Sequence, residues 1–503
     1  MGEKQGGTTL DLVRATFHIE NFGCRAARAD GEAIAERLRA ADCVEQESDA
    51  EVVIVNTCSV TAEADREARA FIRRTHRLNP GAKIVATGCY AQRAPEELAG
   101  LDGVAAVVGN SHKALVPEIA LGLTRGVENG RLPEGMVSAA SLLGGARVLA
   151  DESFAHSFLE EAQVMPGAQT RPNLKIQEGC GNRCSFCVIP QTRGGSRSLA
   201  AEQVLKQVRG FVAAGGKELV FSGINLGRWG RGPADGGGSK GLAELVRQIF
   251  AETELARLRL SSIEPMDWDT ELIAVMAEFG NTAGTSGAGA HHAGGRLARH
   301  AHLPLQSGSD AVLRRMYRRY RPWHYAEKVE ALVRAAGPEL TLGADVMVGF
   351  PGETDAEFEE TVELVRALPF GYLHVFPFSP RPGTRAWTLH AAEPVVLEAV
   401  KERVAELRKL AAEKTRVHRE RMIGHELDAI TLHTPEALAA MGLSVALTEN
   451  FLPVEVGGRV EANELARVRV MGLNADGALV GEMMTQRDKK ARISSDICAA
   501  VAV

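Results

Sequence analysis

The sequence predicts an α/β chain in three parts: an N-terminal parallel α/β domain, a central partial β/α barrel and a small C-terminal all-β barrel. Three observations carry this. Over 14–135, strand-sized apolar runs alternate with helical patterns, as in a parallel sheet with helical crossovers. The alternation resumes at Leu174 and lasts for more than 200 residues, each apolar run ending in polar or Gly-rich residues, the pattern of a barrel with its chemistry at the strand ends. Over 425–497, short β-like runs such as "LDAITLH", "FLPVEV" and "ARVRVMGL" are broken by Gly and Asn.

In the first part "ATFHIENFGC" reads as strand then loop, and "DGEAIAERLRAADC" as a helix. "AEVVIVNTCSV" is a second strand, followed by the helical "AEADREARAFIRRTHRLN", and "AKIVATGCYAQ" is a third. Each strand runs into a cysteine: Cys24, Cys58 and Cys89. Ligands gather at the carboxyl ends of strands in open parallel sheets. Residues 136–172 read as a linker. The barrel spans 173–400, with strands in "ELVFSGINLG", "RLRLSSIEP", "HLPLQSGS", "LGADVMVGFPGET" and "YLHVFPFSPRPGT". The Gly/Ala-rich stretch 280–299 reads as a flexible insertion, with His291 and His292 in a solvated loop rather than as metal ligands. A helix over 401–424 connects to the last module.

The formal net charge of −6 argues against a chain that coats nucleic acid non-specifically, although a local basic groove is compatible with it. Apolar runs are strand-sized, too short to span a bilayer. The N-terminal "MGEKQGGTTLDLVRA" lacks the apolar core of a secretory signal, so a cytoplasmic location without membrane attachment is expected. There the eight cysteines read as metal ligands, catalytic groups or buried side chains, not a disulfide framework.

Three cysteines stand together in "EGCGNRCSFCVIP": Cys180, Cys184 and Cys187, spaced C-x3-C-x2-C. Structural zinc wants four closed ligands, and no histidine lies close by. A cubane iron–sulfur cluster held by three thiolates leaves one iron open. This loop, with Phe186 before the last cysteine and an apolar strand before the first, resembles that of the radical S-adenosylmethionine enzymes. The resemblance implies a 4Fe–4S cluster whose open iron chelates S-adenosylmethionine and whose electron cleaves it to a 5′-deoxyadenosyl radical. Later strand ends would hold the cofactor: Gly223, Asn225, Ser262, Glu264, Gln306, Ser307 and Asp345. Each could equally cap a following helix.

The arrangement "NFGC…NTCSVTAEADREAR…TGCYAQ" beside that motif resembles the methylthiotransferases among these enzymes, over residues 15–490. Alone, three buried cysteines are unremarkable; beside the motif, the likeness implies a second 4Fe–4S cluster on Cys24, Cys58 and Cys89. It also implies two uses of S-adenosylmethionine, as methyl donor and as radical source, and a C-terminal TRAM barrel. The chemistry needs an electron donor of flavodoxin or ferredoxin type and a sulfur source. Cys43 and Cys498 fall outside both triads and read as structural. Where the family often has asparagine three residues after the first cysteine, this chain has Ala27; Asp30 is retained.

The N-terminal motifs look most like the branch acting on N6-threonylcarbamoyladenosine, 3′ to the anticodon of tRNA. The alternatives are isopentenyladenosine in tRNA, an aspartate of a ribosomal protein or, in another class, a non-catalytic iron–sulfur protein that binds RNA. "LRRMYRRYRPWHY" interleaves arginines with Tyr317, Tyr320, Trp323 and Tyr325, the residue types of phosphate pairing and base stacking. It nominates Arg314, Arg315, Arg318 and Arg319 for RNA, with a solvated helical face as the other reading. Against RNA, acidic residues outnumber basic ones 11 to 7 over 425–503.

Overall fold

The computed structural model describes residues 14–124, 146–154, 164, 166, 169–232, 241–280 and 295–484. The histidines 291 and 292, most of the 280–299 stretch and Cys498 lie outside them. The chain forms two units: Met1–Ala162 with Gln191–Arg193, and the remainder.

In the run "VVIV" of residues 52–55, successive side chains point to opposite faces of a strand. Val52 and Ile54 join Phe17, Ile34, Leu38 and Val108 in one core, while Val53 and Val55 join Ile72, Ile84 and Val107 in another. A strand covered on both faces therefore reads as an unbroken apolar run. The strands of this unit are β1 (Thr16–Asn21), β2 (Val44–Glu45), β3 (Val52–Thr57), β4 (Lys83–Gly88), β5 (Val104–Gly109) and β6 (Arg147–Leu149), all parallel in the order β2-β1-β3-β4-β5-β6. The helix Arg25–Ala40 begins at Cys24; the helix Ala62–Leu78 is N-capped by Thr61, which accepts from the Ala64 N–H. The sheet extends beyond the expected boundary at 135, because Arg147–Leu149, in the stretch read as linker, pairs with Ala106–Val108. Three residues are too short to stand out by periodicity.

In the second unit β7 (Asn173–Glu178), β8 (Arg197–Ser198), β9 (Glu218–Gly223) and β10 (Arg257–Leu260) form a sheet ordered β10-β9-β7-β8, and β11 (His300–His302), β12 (Thr341–Val348) and β13 (Phe370–Pro377) form a parallel one. The Leu258–Leu297 bridge just before β11 links the two sheets, and among the described residues no pairing joins β8 to β13, so the β/α barrel is partial. The helix Leu397–Arg421 packs on β13. The strands β14 (Glu426–Thr431), β15 (Leu443–Thr448), β16 (Pro453–Gly457), β17 (Leu465–Leu473) and β18 (Leu479–Met483) then close a barrel ordered β14-β15-β16-β18-β17.

That small barrel rests on the first-residue ends of the larger one's strands. Buried Glu218 pairs with Arg257 and Arg259, and the Arg259 guanidinium also donates to the Thr448 carbonyl. Arg299 pairs with Glu449. Phe451 lies against His300, ring centroids 4.4 Å apart, and under the Arg259 guanidinium. The opposite, C-terminal ends of the strands are left for chemistry.

Candidate active site

The loop after β7 presents Cys180, Cys184 and Cys187, and several donors point at their sulfurs. The Asn182 N–H reaches Cys180 Sγ at 3.4 Å, and Asn225 Nδ2 reaches it at 3.6 Å. Arg318 donates to Cys184 Sγ at 3.3 Å, and the Ile189 N–H reaches Cys187. Burial pushes the Cys187 thiol up to about 12, with the other two cysteines adding to it; burial likewise raises Cys180. Without metal, the Cys180 and Cys187 thiols keep their protons at neutral pH, so loading releases protons. Neither cysteine triad brings its three sulfurs within 4.8 Å of one another. The donor set and spacing fit a 4Fe–4S cluster with an open iron.

Arg318 is the hub of this site. Its buried guanidinium pairs with Glu264, donates to Tyr320 Oη at 3.3 Å, and is held charged against burial by Tyr320, Glu264 and Cys184. Beside it a cleft is lined by Asn182, Cys184, Glu264, Asp267, Tyr317 and Arg319. Burial raises the Asp267 carboxyl to about 6, against the pull of Arg228.

The other strand-end candidates divide. The Asn225 Oδ1 and Gln306 Oε1 acceptors are buried without a hydrogen-bond partner, as groups awaiting a donor-rich ligand such as S-adenosylmethionine would be. Gly223 packs on Gln177, where a Cβ would come within 3.0 Å. Ser307 has a structural role instead: its Oγ lies 3.2 Å from the Thr361 hydroxyl and accepts from the Ser309 N–H. Ser262 turns to His302, and Asp345 lies 3.4 Å from His302 Nε2.

In the N-terminal unit, Cys24, Cys58 and Cys89 follow the adjacent strands β1, β3 and β4. Gly23, at φ +103°, lies so close that a Cβ there would come within 2.5 Å of Cys58 Cβ. Burial, then Cys89 and Cys24, push the Cys58 thiol up to about 12, while the Val60 N–H and Arg193 oppose the rise. Asn110 Nδ2 and Arg193 Nε donate to Cys89 Sγ at 3.4 and 3.3 Å. Arg193 and Lys113 both pair with buried Asp30. Beside Ala27, Asn56 donates to the Ala27 carbonyl and to Asn21 Oδ1. Sequence reasoning passed over Asn110, Arg193 and Lys113. Asn110 and Lys113 had only polarity just after β5 as a signal, and Arg193, the last residue of the helix Ile189–Arg193, had none.

The arginine–aromatic segment is divided between interior and surface. Arg318 is buried at the cysteine loop, Arg315 pairs with Glu357, and Tyr320 and Tyr325 are fully buried. Arg314, paired with Asp310, and Arg319 face solvent, as do Tyr317 and Trp323. The left-handed turn at Tyr317 (φ +57°) sends alternate side chains inward.

Two family models match: Uncharacterized protein family UPF0004 over residues 16–109, and the Radical SAM superfamily over 174–365. Threonylcarbamoyladenosine tRNA methylthiotransferase MtaB of Bacillus subtilis is 34% identical, covering 91% of this chain and 94% of its own. The same-named protein of Aquifex aeolicus is 33% identical over 90% and 99%. The tRNA-2-methylthio-N(6)-dimethylallyladenosine synthase of Cereibacter sphaeroides is 32% identical over 93% and 98%. Among solved structures, the radical S-adenosylmethionine methyltransferase TsrM of Kitasatospora setae aligns with a TM-score of 0.52 at 16% identity, over 74% of this chain and 77% of that one. The small closed barrel agrees with a TRAM-like domain, and no described helix is long and apolar enough to cross a membrane.

Proposed function

The chain belongs to the radical S-adenosylmethionine methylthiotransferase family, and from that premise we propose that it adds a 2-methylthio group to N6-threonylcarbamoyladenosine in tRNA. The observation that carries the chemistry is the cysteine loop at the end of β7, its sulfurs held by Asn182, Asn225, Ile189 and Arg318. The substrate rests on the relatives named for threonylcarbamoyladenosine.

Cys180, Cys184 and Cys187 would hold one 4Fe–4S cluster, and Cys24, Cys58 and Cys89 a second. When bound, the first supplies an electron to S-adenosylmethionine and so a radical able to act at carbon 2 of adenine, which has neither an acidic proton nor a leaving group. The chain's own part is to bind and orient. Asn225 fixes Cys180 and offers its Oδ1 to the cofactor, as Gln306, beyond β11, does with its Oε1. Arg318 pairs with Glu264 at the cleft and donates to Cys184. Arg314, Arg319, Tyr317 and Trp323 form the exposed part of the segment that would meet RNA. Asn110 and Arg193 donate to Cys89 Sγ. An electron donor of flavodoxin or ferredoxin type, a sulfur source and a cytoplasmic setting complete the reading.

The test incubates iron-loaded, reduced protein with S-adenosylmethionine and with unmodified, isopentenylated or threonylcarbamoylated tRNA, followed by nucleoside mass spectrometry. Methylthiolation of the threonylcarbamoylated tRNA is expected. Reaction with the isopentenylated tRNA alone would overturn the substrate, and reaction with none would favour a protein side chain.

A further inference from the structure

Midway along the second sheet of the partial barrel, three side chains from three adjacent strands converge. His302 ends β11, Asp345 lies on β12, and His374 sits directly opposite Asp345 on β13. One potential ligand atom from each lies within 4.8 Å of the others. His302 is buried, Asp345 is partly buried and His374 is exposed, so the group opens to solvent on one side.

The hydrogen bonds decide what this group lacks. His302 Nδ1 lies 2.7 Å from Ser262 Oγ. With Nδ1–H donating to that hydroxyl, Nε2 is left with a lone pair, buried without a hydrogen-bond partner and 3.4 Å from the Asp345 carboxylate. Two electron-rich atoms this close repel unless a cation is shared between them. In the other tautomer an Nε2–H would lie beside the carboxylate without making a hydrogen bond to it. A proton would need only two of the three groups, whereas His374 reaches the same point. Tyr372 walls the site, its ring 5.9 Å from that of His302 and 5.2 Å from that of His374.

We propose that His302 Nε2, Asp345 and His374 bind one divalent transition-metal ion, separate from the two cysteine triads. Two imidazoles and a carboxylate on one side of an ion, with further positions open to water, are ligands suited to zinc or iron(II). Ser262 acts one step removed, fixing the His302 tautomer, as outer partners of ligating histidines do. The site does not depend on the tRNA substrate proposed above.

The test uses full-length protein with both cysteine triads iron-loaded, dialysed anaerobically against buffered zinc, then analysed for zinc, iron and zinc K-edge absorption. The wild type is expected to take up a single zinc ion with a nitrogen and oxygen shell at about 2.0–2.1 Å. His374→Ala, a change at an exposed side chain, should weaken that uptake at least tenfold with iron unchanged. Ser262→Ala should weaken it by about tenfold. No uptake, equal uptake by wild type and His374→Ala, or a sulfur shell at about 2.3 Å would overturn the proposal.

Discussion

Replacing Arg318 with methionine keeps the apolar stem and removes the charge that joins Cys184 to Glu264. The pair is largely withdrawn from water, with side-chain exposures of 4% for Arg318 and 24% for Glu264. Removing one partner of a buried pair costs about 3–5 kcal/mol, because the other charge is left behind. Glu264 keeps some solvent, so the lower end applies, about 3 kcal/mol. That is about two orders of magnitude in the local opening equilibrium. Hydrogen exchange on the iron-loaded protein should show it over Cys184–Ile189 and over Pro304–Arg321, the elements Arg318 ties together. Formation of 5′-deoxyadenosine should fall with it. Adding Glu264→Gln removes the stranded charge and should restore at least half of the lost protection, a coupling only a direct pair produces. If Arg318→Met left exchange unchanged and weakened only tRNA binding, the side chain would be acting at the surface, and the hub role would be wrong.

Two other outcomes follow from buried groups. Burial, helped by Arg421 and Arg419, lowers the His418 imidazole to about 4. A depressed histidine contributes stability above its unfolded value of about 6.5 that is lost as pH falls toward 4; between pH 7 and 5.5 the loss is about 1 kcal/mol. Exchange protection of the helix Leu397–Arg421 should drop by that much in wild type and stay nearly flat in His418→Gln, which can still bond Thr341; equal losses would refute the assignment. Gly23→Ala should push Cys58 out of place and halve the iron content while sparing 5′-deoxyadenosine formation; full iron in that variant would count against a cluster on the N-terminal triad.

What the sequence disclosed and what it hid differ by range. Cys24, Cys58 and Cys89 were legible because each comes just after a strand, where a parallel sheet gathers ligands, and Cys180, Cys184 and Cys187 because of their C-x3-C-x2-C spacing. Arg318 was not, since an interleaved run of arginines and aromatics looks the same whether a positive-φ turn folds half of it inward or not. His302, Asp345 and His374 were missed as a group for another reason. They are far apart along the chain, and only the register of β11, β12 and β13 brings them together. The alternation in "HAH" at 300–302 was the one local hint, one histidine facing Phe451 and the next neighbour but one facing Asp345. The donors to the sulfurs, Asn110, Arg193 and Asn225, are ordinary residues until the fold points them.

The C-terminal barrel is easily regarded as a modular RNA-binding appendage, yet its contacts make it part of its neighbour's foundation. Thr448 takes a hydrogen bond from Arg259, Glu449 neutralises Arg299, and Phe451 fills the space against His300. A chain cut before residue 425 would strip buried Arg299 of one of its two carboxylates, leaving only Glu339, and would leave an aromatic pocket open to water, beneath the strands that carry the chemistry. The module therefore cannot be shed, swapped or shuffled like a bead on a string. Its sequence is constrained from within by the barrel it underpins, whatever it touches outside.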